Sequence, residues 1–483
     1  MDREVGCVHP VRTSRFRVRL ISSLVVAGGL LLTDAAAAGT SLSLGLNTAA
    51  WNGQYTGTGV ATINAFLTQA HIGVLRYPGG SWADEYDWSQ NADFLGCFNP
   101  GATNPCPETD AIGFDTFAQD AAQAGATTFV TVNYGSGSPA LAAAWVAHAR
   151  TTPGEQVALW EVGNENYGCW EVNNPLAGFP AYVQGYKPNS SVCPDTQTMA
   201  NSYAANALPF LLAMKNADPA ARIGVPWALQ PNQAAGAGVV NAAQWNDTVL
   251  GQDGSFVDFV DVHWYPFSDI SGLTDTQIVT SISSIQQVMQ GIRATLHQHH
   301  LDRADVVVGE TNISNQPTPL AFQPVAALAA AGTTLGWLSA GALSVDWWDM
   351  NNFGSPQSGD FGMFTSSPAP GNAPLPAYYG YWLASLVTAS GRVETLDVGN
   401  SSVFGFQSGG EGRRVVLLIN ADTTQSETVR LDGFRDGTLQ ISTYSAASAA
   451  LANPIVQGTT SGRQVRGGIP LPPESITVLV GSE

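Results

Sequence analysis

Residues 157–168 read VALWEVGNENYG and residues 305–314 read DVVVGETNIS. Each starts as a short apolar run and breaks at a glycine, after which a carboxylate follows at Glu165 or Glu310. Short buried runs that end in turn residues read as strands of a covered parallel sheet.

Working outward, six more runs share this texture: 43–48 (SLGLNT), 73–77 (GVLRY), 127–133 (TTFVTVN), 222–227 (RIGVPW), 258–264 (DFVDVHW) and 342–348 (ALSVDWW). Helical segments fall between them at Val60 to Ala70, Phe114 to Ala124, Pro139 to Arg150, Ala200 to Ala217, Thr276 to His299, Leu320 to Ala331 and Ala377 to Thr388. Eight runs alternating with helices predict a (β/α)8 TIM barrel. An open doubly wound sheet is the lesser reading, because the first strand is not followed by a glycine-rich phosphate loop.

After Gly391 the texture changes to short alternating segments such as SVFGFQ, RRVVLLIN and SITVLV. This tail predicts a C-terminal β-sandwich over 391–483, packed on a barrel spanning 39–390. At the other end, Arg12, Arg15, Arg17 and Arg19 precede the apolar run Leu20 to Leu32 and the small residues Ala35 to Ala38, so 1–38 reads as a signal peptide. The expected product is secreted, extracellular or periplasmic, with no membrane attachment after cleavage. Four cysteines would remain, and of three pairings Cys97 with Cys106 and Cys169 with Cys193 close the most local loops.

Only 12% of residues are charged and 44% are apolar, which excludes a disordered chain. Removing the five Arg and three acids of 1–38 from 19 basic and 38 acidic residues leaves a net charge near −21. Such a surface repels phosphate backbones, so nucleic acid is not an expected partner. His297, His299 and His300 form a local run facing solvent, and with no convincing ligand spacing elsewhere neither a metal nor a cofactor is expected. A GxSxG elbow is absent, which leaves serine-hydrolase chemistry without support.

The reactive groups of such a barrel sit at the carboxyl ends of its strands, where the fourth and seventh bring Glu165 and Glu310 to one mouth. Two facing carboxyls, one protonated and one ionised, are the minimum equipment for splitting a glycosidic bond. Glu161 is the rival acid, but it lies within its strand. On strand six, alternation puts His263 and Tyr265 on one face and Trp264 on the other, so Tyr265 can donate to Glu310 while His263 reaches substrate. Arg76 ends strand two, with Asp84, Glu85 and Asp87 as alternative partners. Trp347 and Trp348 close strand eight, where one is expected as an aromatic floor for a sugar and the other as core. Trp51, Trp82 and Trp88 read equally as outer subsites or packing anchors.

These motifs carry a resemblance. The Asn164–Glu165 pair and Glu310 in GETN are similar to the acid/base and nucleophile motifs of the retaining glycoside hydrolase clan with glutamates on strands four and seven. LRYPGGSWADEYDW, 75–88, resembles the strand-two motif of family-51 α-L-arabinofuranosidases, while GETN is closer to heparanase-like family-79 enzymes. The resemblance implies Glu165 as acid/base, Glu310 as nucleophile, Asn164 as partner of a sugar 2-hydroxyl and Arg76 as neighbour of the nucleophile. It implies a polysaccharide or oligosaccharide partner, with α-L-arabinofuranosidase first. An endo-β-glucanase or xylanase, a glucuronidase, and a carbohydrate-binding protein without catalysis are the alternatives, and the tail could be a glycan-binding module.

Overall fold

Eight parallel strands close into a barrel: β1 (Leu44–Asn47), β2 (Val74–Tyr77), β3 (Thr127–Val132), β4 (Val157–Val162), β5 (Ile223–Trp227), β6 (Phe259–Trp264), β7 (Asp305–Thr311) and β8 (Ser344–Trp347), with β8 pairing back onto β1. All eight lie within two residues of the runs read from the sequence. The computed structural model describes residues 42–94, 107–168, 170–173, 194–229, 241–366, 371–410, 412–451 and 453–482. Residues 1–38, read from the sequence as a signal peptide, the five cysteines and both favoured disulfides lie outside the described residues.

Each strand is followed by a long helix: α1 (Thr58–Gln69), α2 (Phe114–Gln123), α3 (Pro139–Thr151), α4 (Thr196–Ala217), α5 (Ala242–Asp253), α6 (Ile285–Gln298), α7 (Val325–Ala340) and α8 (Pro376–Thr388). Local chemistry starts several of them. Ser138, Asp195 and Asn241 accept backbone N–H bonds from the first turns of α3, α4 and α5, and Pro139 and Pro376 fit the first turn because their missing N–H has no partner there.

The sequence reading missed α5, whose AAQWNDTVLGQD buries few large residues besides Trp245, Val249 and Leu250. It also stopped α7 short. Every residue of α7 from Val325 to Trp337 is buried, so the helix carries no polar stripe to reveal its period. The expected helix from Thr276 to His299 is broken into Asp275–Thr280, a 3-10 turn at Ser281–Ser284, and α6.

Past α8, strands β9 (Glu394–Leu396), β10 (Val403–Gly410), β11 (Arg413–Asn420), β12 (Glu427–Val429), β13 (Thr438–Ser445), β14 (Val456–Ser461), β15 (Ile469–Leu471) and β16 (Ser475–Ser482) form the sandwich. Six of them make an antiparallel sheet in the order β9-β10-β11-β16-β13-β14, and β12 pairs with β15 as a second layer. RRVVLLIN in β11 is buried on both faces. Val416 and Leu418 enter the sandwich core with Leu479, whereas Val415, Leu417 and Ile419 join the barrel's core, and Ile419 meets α7 near Gly332. The inner sheet face thus covers α7 and α8, and Tyr379 stacks on Tyr444 with ring centroids 5.9 Å apart.

Inside the barrel, Val74, Phe129, Leu159, Phe259 and Val307 form an apolar floor. Two residues further along their strands, toward the carboxyl ends, Arg76, Thr131, Glu161 and Asp261 form a polar layer, joined by Asp346 of β8. The floor keeps water from below; the polar layer supports the mouth.

Candidate active site

The turn after β4 is shaped by Gly163, at φ 80°, where a Cβ would lie 1.9 Å from the Asn166 amide oxygen. Glu165 follows in the left-handed region at φ 44°, a conformation that a non-glycine residue adopts only when its surroundings hold it. Those surroundings are visible. Asp84 accepts hydrogen bonds from the Asn166 side chain (2.8 Å) and the Asn164 backbone (3.3 Å), so it braces this turn and does not pair with Arg76.

Glu310 reaches the mouth through a bulge. On β7, Val307 pairs with Asp261 and Glu310 with His263, so three steps on one strand oppose two on the other. Without that irregularity Glu310 would face the helices, because Val307 and Gly309 already face inward. The Asp261 carboxylate accepts the Gly309 N–H at 2.6 Å, and the Gly309 carbonyl accepts from the Asn47 amide at 2.7 Å. A Cβ at Gly309 would sit 2.2 Å from Asp261 Oδ2, which explains the glycine.

The two carboxylates meet at one imidazole. His263 Nδ1 lies 2.9 Å from Glu165 Oε1 and 3.5 Å from Glu310 Oε2, and one oxygen of each glutamate is within 4.8 Å of the other. Tyr265 donates to Glu310 Oε2 at 2.7 Å, and Arg76 Nη1 donates to Glu310 Oε1 at 2.7 Å. Arg76 also donates to Glu161 (3.0 Å), to the Asn164 side-chain oxygen (2.8 Å) and to Asn47 (3.1 Å). Tyr167 and Trp170 donate to Glu165, each at 2.9 Å.

The electrostatics follow from these contacts. Burial pushes the Glu165 carboxyl up, but the His263 hydrogen bond and charge, with Trp170 and Tyr167, hold it below its usual range. Burial pulls His263 down, yet Glu310 and the hydrogen bonds to Asp261 and Glu165 lift it above its usual range, which favours the charged imidazole between the glutamates. Burial and the Asp261 charge push Glu161 up to about 8 despite Arg76. Burial likewise raises Asp346, against a hydrogen bond from Ser344.

Of the residues singled out from sequence, Arg76, Asn164, Glu165, His263, Tyr265 and Glu310 converge at the carboxyl ends of the strands. Glu165 and Glu310 remain partly open, at 21% and 7% side-chain exposure, whereas Glu161 is sealed in the layer below. His263 contacts Glu165 directly. Of the two tryptophans that close strand eight, Trp347 is the core one: it is buried against Tyr381 in the wall between strands and helices, because alternation turns it outward from Asp346. Trp348 borders the mouth, with its ring against Gly80. Trp88 is a packing anchor stacked on Trp145, whereas Trp51 pairs at 5.5 Å with Phe353, which is 60% exposed.

Sequence reasoning missed Asp261, Asn47, Tyr167, Trp170 and Glu171. Glu171 accepts from Asn164 (3.0 Å) and Ser81 (2.8 Å), so one amide hydrogen of Asn164 is already committed. The signal for Asp261 was in VDVHWYP, where strand alternation puts it on the same face as His263. Tyr167 and Trp170 sit in an irregular loop where no periodicity marks them.

No family model matches the chain. A probable α-L-arabinofuranosidase C of Aspergillus clavatus is 25% identical over 177 residues, covering 32% of this chain and 30% of that protein. An intracellular exo-α-L-arabinofuranosidase of Bacteroides ovatus is 25% identical over 228 residues, covering 43% and 37%. The chain thus spans about a third of the length of these curated relatives. Among solved structures, an arabinofuranosidase superposes with TM-score 0.68 at 17% identity, covering 92% of this chain and 97% of that one. The thermostable family-51 α-L-arabinofuranosidase of Thermotoga petrophila gives 0.64 at 17%, covering 87% and 89%, and the bifunctional glucanase-xylanase CelM2 gives 0.61 at 15%, covering 92% and 96%. In fold, the chain resembles the family-51 arabinofuranosidases, a (β/α)8 barrel with a C-terminal β-sandwich.

Proposed function

We propose that the chain is a retaining glycoside hydrolase acting on plant-type polysaccharide, with terminal α-L-arabinofuranosyl residues as first substrate. The observation that carries this reading is the convergence of Glu165 and Glu310 on one imidazole, His263 Nδ1 lying 2.9 Å from the first and 3.5 Å from the second, with the Arg76 guanidinium 2.7 Å from Glu310. Carboxyls about 5–5.5 Å apart suit a covalent double displacement, whereas inversion needs roughly 6.5–9.5 Å to admit a water.

In the first step a Glu310 oxygen bonds to the anomeric carbon as the glycosidic bond breaks, and Glu165 delivers a proton to the leaving oxygen. Arg76 and Tyr265 keep Glu310 ionised and aimed. The neighbours of Glu165 hold it low in the free site, and His263 Nδ1, 2.9 Å from Glu165 Oε1, is placed to pass it the proton that the first step needs and to take it back after the second. In the second step Glu165 takes a proton from water, which releases the sugar from Glu310 with its configuration retained. Trp348 serves as the aromatic floor, and Trp51 with Phe353 offers a face for a sugar beyond the cleaved bond.

The likeness to CelM2 supports a second reading, an endo-acting glucanase or xylanase. A glucuronidase has less support: among the described residues, Arg76 and His263 at the mouth are engaged by carboxylates, and Lys215 is bound to Asp258. We place the product outside the cytoplasm on the strength of residues 1–38 alone; among the described residues no helix is long and apolar enough to cross a membrane. Incubation with arabinoxylan, arabinan, xyloglucan and β-glucan, with Glu310→Ala as control, tests the assignment. Free arabinose absent from the mutant supports the first substrate, mutant-sensitive oligosaccharides support the endo reading, and no product from any of the four argues against both.

A further inference from the structure

Away from the mouth, three side chains converge on the outer wall of the barrel. Asp115 lies in the first turn of α2, His148 in the last turn of α3, and Glu155 in the turn leading to β4. His148 Nε2 is 2.9 Å from Asp115 Oδ1 and 3.2 Å from Glu155 Oε2, and one oxygen or nitrogen of each residue lies within 4.8 Å of the other two. The Glu155 side chain is 0% exposed, yet neither carboxylate oxygen meets a donor in hydrogen-bonding geometry. Glu155 Oε2 faces the His148 imidazole at 3.2 Å, and a cation held between them would bring both acids and the imidazole to one centre.

We infer that Asp115, His148 and Glu155 form a structural site for a divalent transition cation of the zinc type. One imidazole nitrogen and two carboxylate oxygens are a donor set that Zn²⁺ accepts at about 2.0–2.2 Å, and tetrahedral ligands at that length stand roughly 3.3 Å apart. The observed 2.9 and 3.2 Å separations therefore ask for small adjustments, which the 57% exposed Asp115 side chain can make. Solvent supplies the fourth ligand on the side where His148 is 32% exposed. Ca²⁺ and Mg²⁺ fit poorly, because they favour oxygen ligands alone and more of them. The bound cation ties the start of α2 and the end of α3 to the turn before β4, the strand that leads to Glu165.

The full chain, stripped with chelator, is titrated with Zn²⁺ and in parallel with Ca²⁺ and Mg²⁺, following heat of binding and Tm. The inference predicts one saturable zinc that survives Glu310→Ala and His299→Ala, with a Tm rise of at least about 2 °C that Ca²⁺ and Mg²⁺ do not give. His148→Ala and Glu155→Gln should abolish both signals. Asp115→Asn, at an exposed position that tolerates change, should weaken zinc binding at least about tenfold while leaving the metal-free Tm near wild type. Absence of saturable binding, zinc affinity unchanged in Asp115→Asn and His148→Ala, or loss of the site in Glu310→Ala would overturn it.

Discussion

At Glu165 and Glu310 the same side chain answers to different neighbours. Glu310 is met by the Arg76 guanidinium and Tyr265, whereas Glu165 is met by His263, Tyr167 and Trp170 and is the more exposed of the two. Tyr265→Phe removes a hydrogen bond to a charged group worth about 1.5–3 kcal/mol, so kcat should fall roughly 10- to 100-fold with the fold intact. Steady-state kinetics with circular dichroism checks this. Glu165→Ala should lower kcat/KM, which reports the bond-breaking step, by about 10²–10⁴ on natural leaving groups and far less on an activated aryl glycoside, whose departure needs no proton. Equal losses on both substrates would remove Glu165 from the acid role. These two glutamates, Arg76, His263 and Tyr265 were legible in sequence because each closes or follows a strand. Asp261 was not singled out, since an acid in the middle of a strand gives no sign that its carboxylate will hold another strand's backbone.

The element that matters most to the site is the bulge on β7. VVVGET reads as a plain strand, and the extra step at Gly309 depends on Asp261 and Asn47 arriving from β6 and β1. Asp261→Ala leaves the buried Gly309 N–H unpaired, at a cost of about 1–3 kcal/mol. It should lower kcat with little change in KM, because Glu310 loses its aim while the rest of the mouth stays. Gly309→Ala should destabilise the protein by about 1–3 kcal/mol through overpacking against that carboxylate, measurable by denaturant unfolding. A Gly309→Ala enzyme with wild-type stability would contradict the geometry. The missed helix α5 and the shortened α7 have a related cause. Their positions are set by what packs around them, and neither a sparse apolar face nor a fully buried helix prints a clear period on the sequence.

Over the whole molecule, the excess of acids leaves several buried carboxyls without cations. Burial alone lifts Asp253 to about 7, with both its oxygens lacking hydrogen bonds, and burial with Asp275 lifts Glu474 to about 7. A carboxyl whose pKa is raised by folding binds its proton more tightly in the native state. Its stabilising effect is complete below the unfolded value, near 4, and is lost as pH rises through 7. The protein should therefore melt higher at pH 5 than at pH 8. Asp253→Asn, which keeps the shape without the charge, should flatten that slope; a Tm that rises from pH 5 to 8 would contradict this reading. Barrel and sandwich were both legible in texture, one from βα alternation and the other from short alternating strands. The shared core through β11 is foreshadowed in RRVVLLIN, where apolar residues on both faces require two partners.

The central claim is a covalent glycosyl-enzyme on Glu310. Glu165→Ala, which slows release of that intermediate, is incubated with an activated aryl α-L-arabinofuranoside, quenched in acid, digested and read by mass spectrometry. The account predicts one glycosyl group on the peptide containing Glu310 and a first-formed sugar of retained configuration by NMR. Turnover with an unmodified Glu310 peptide and an inverted product would contradict it.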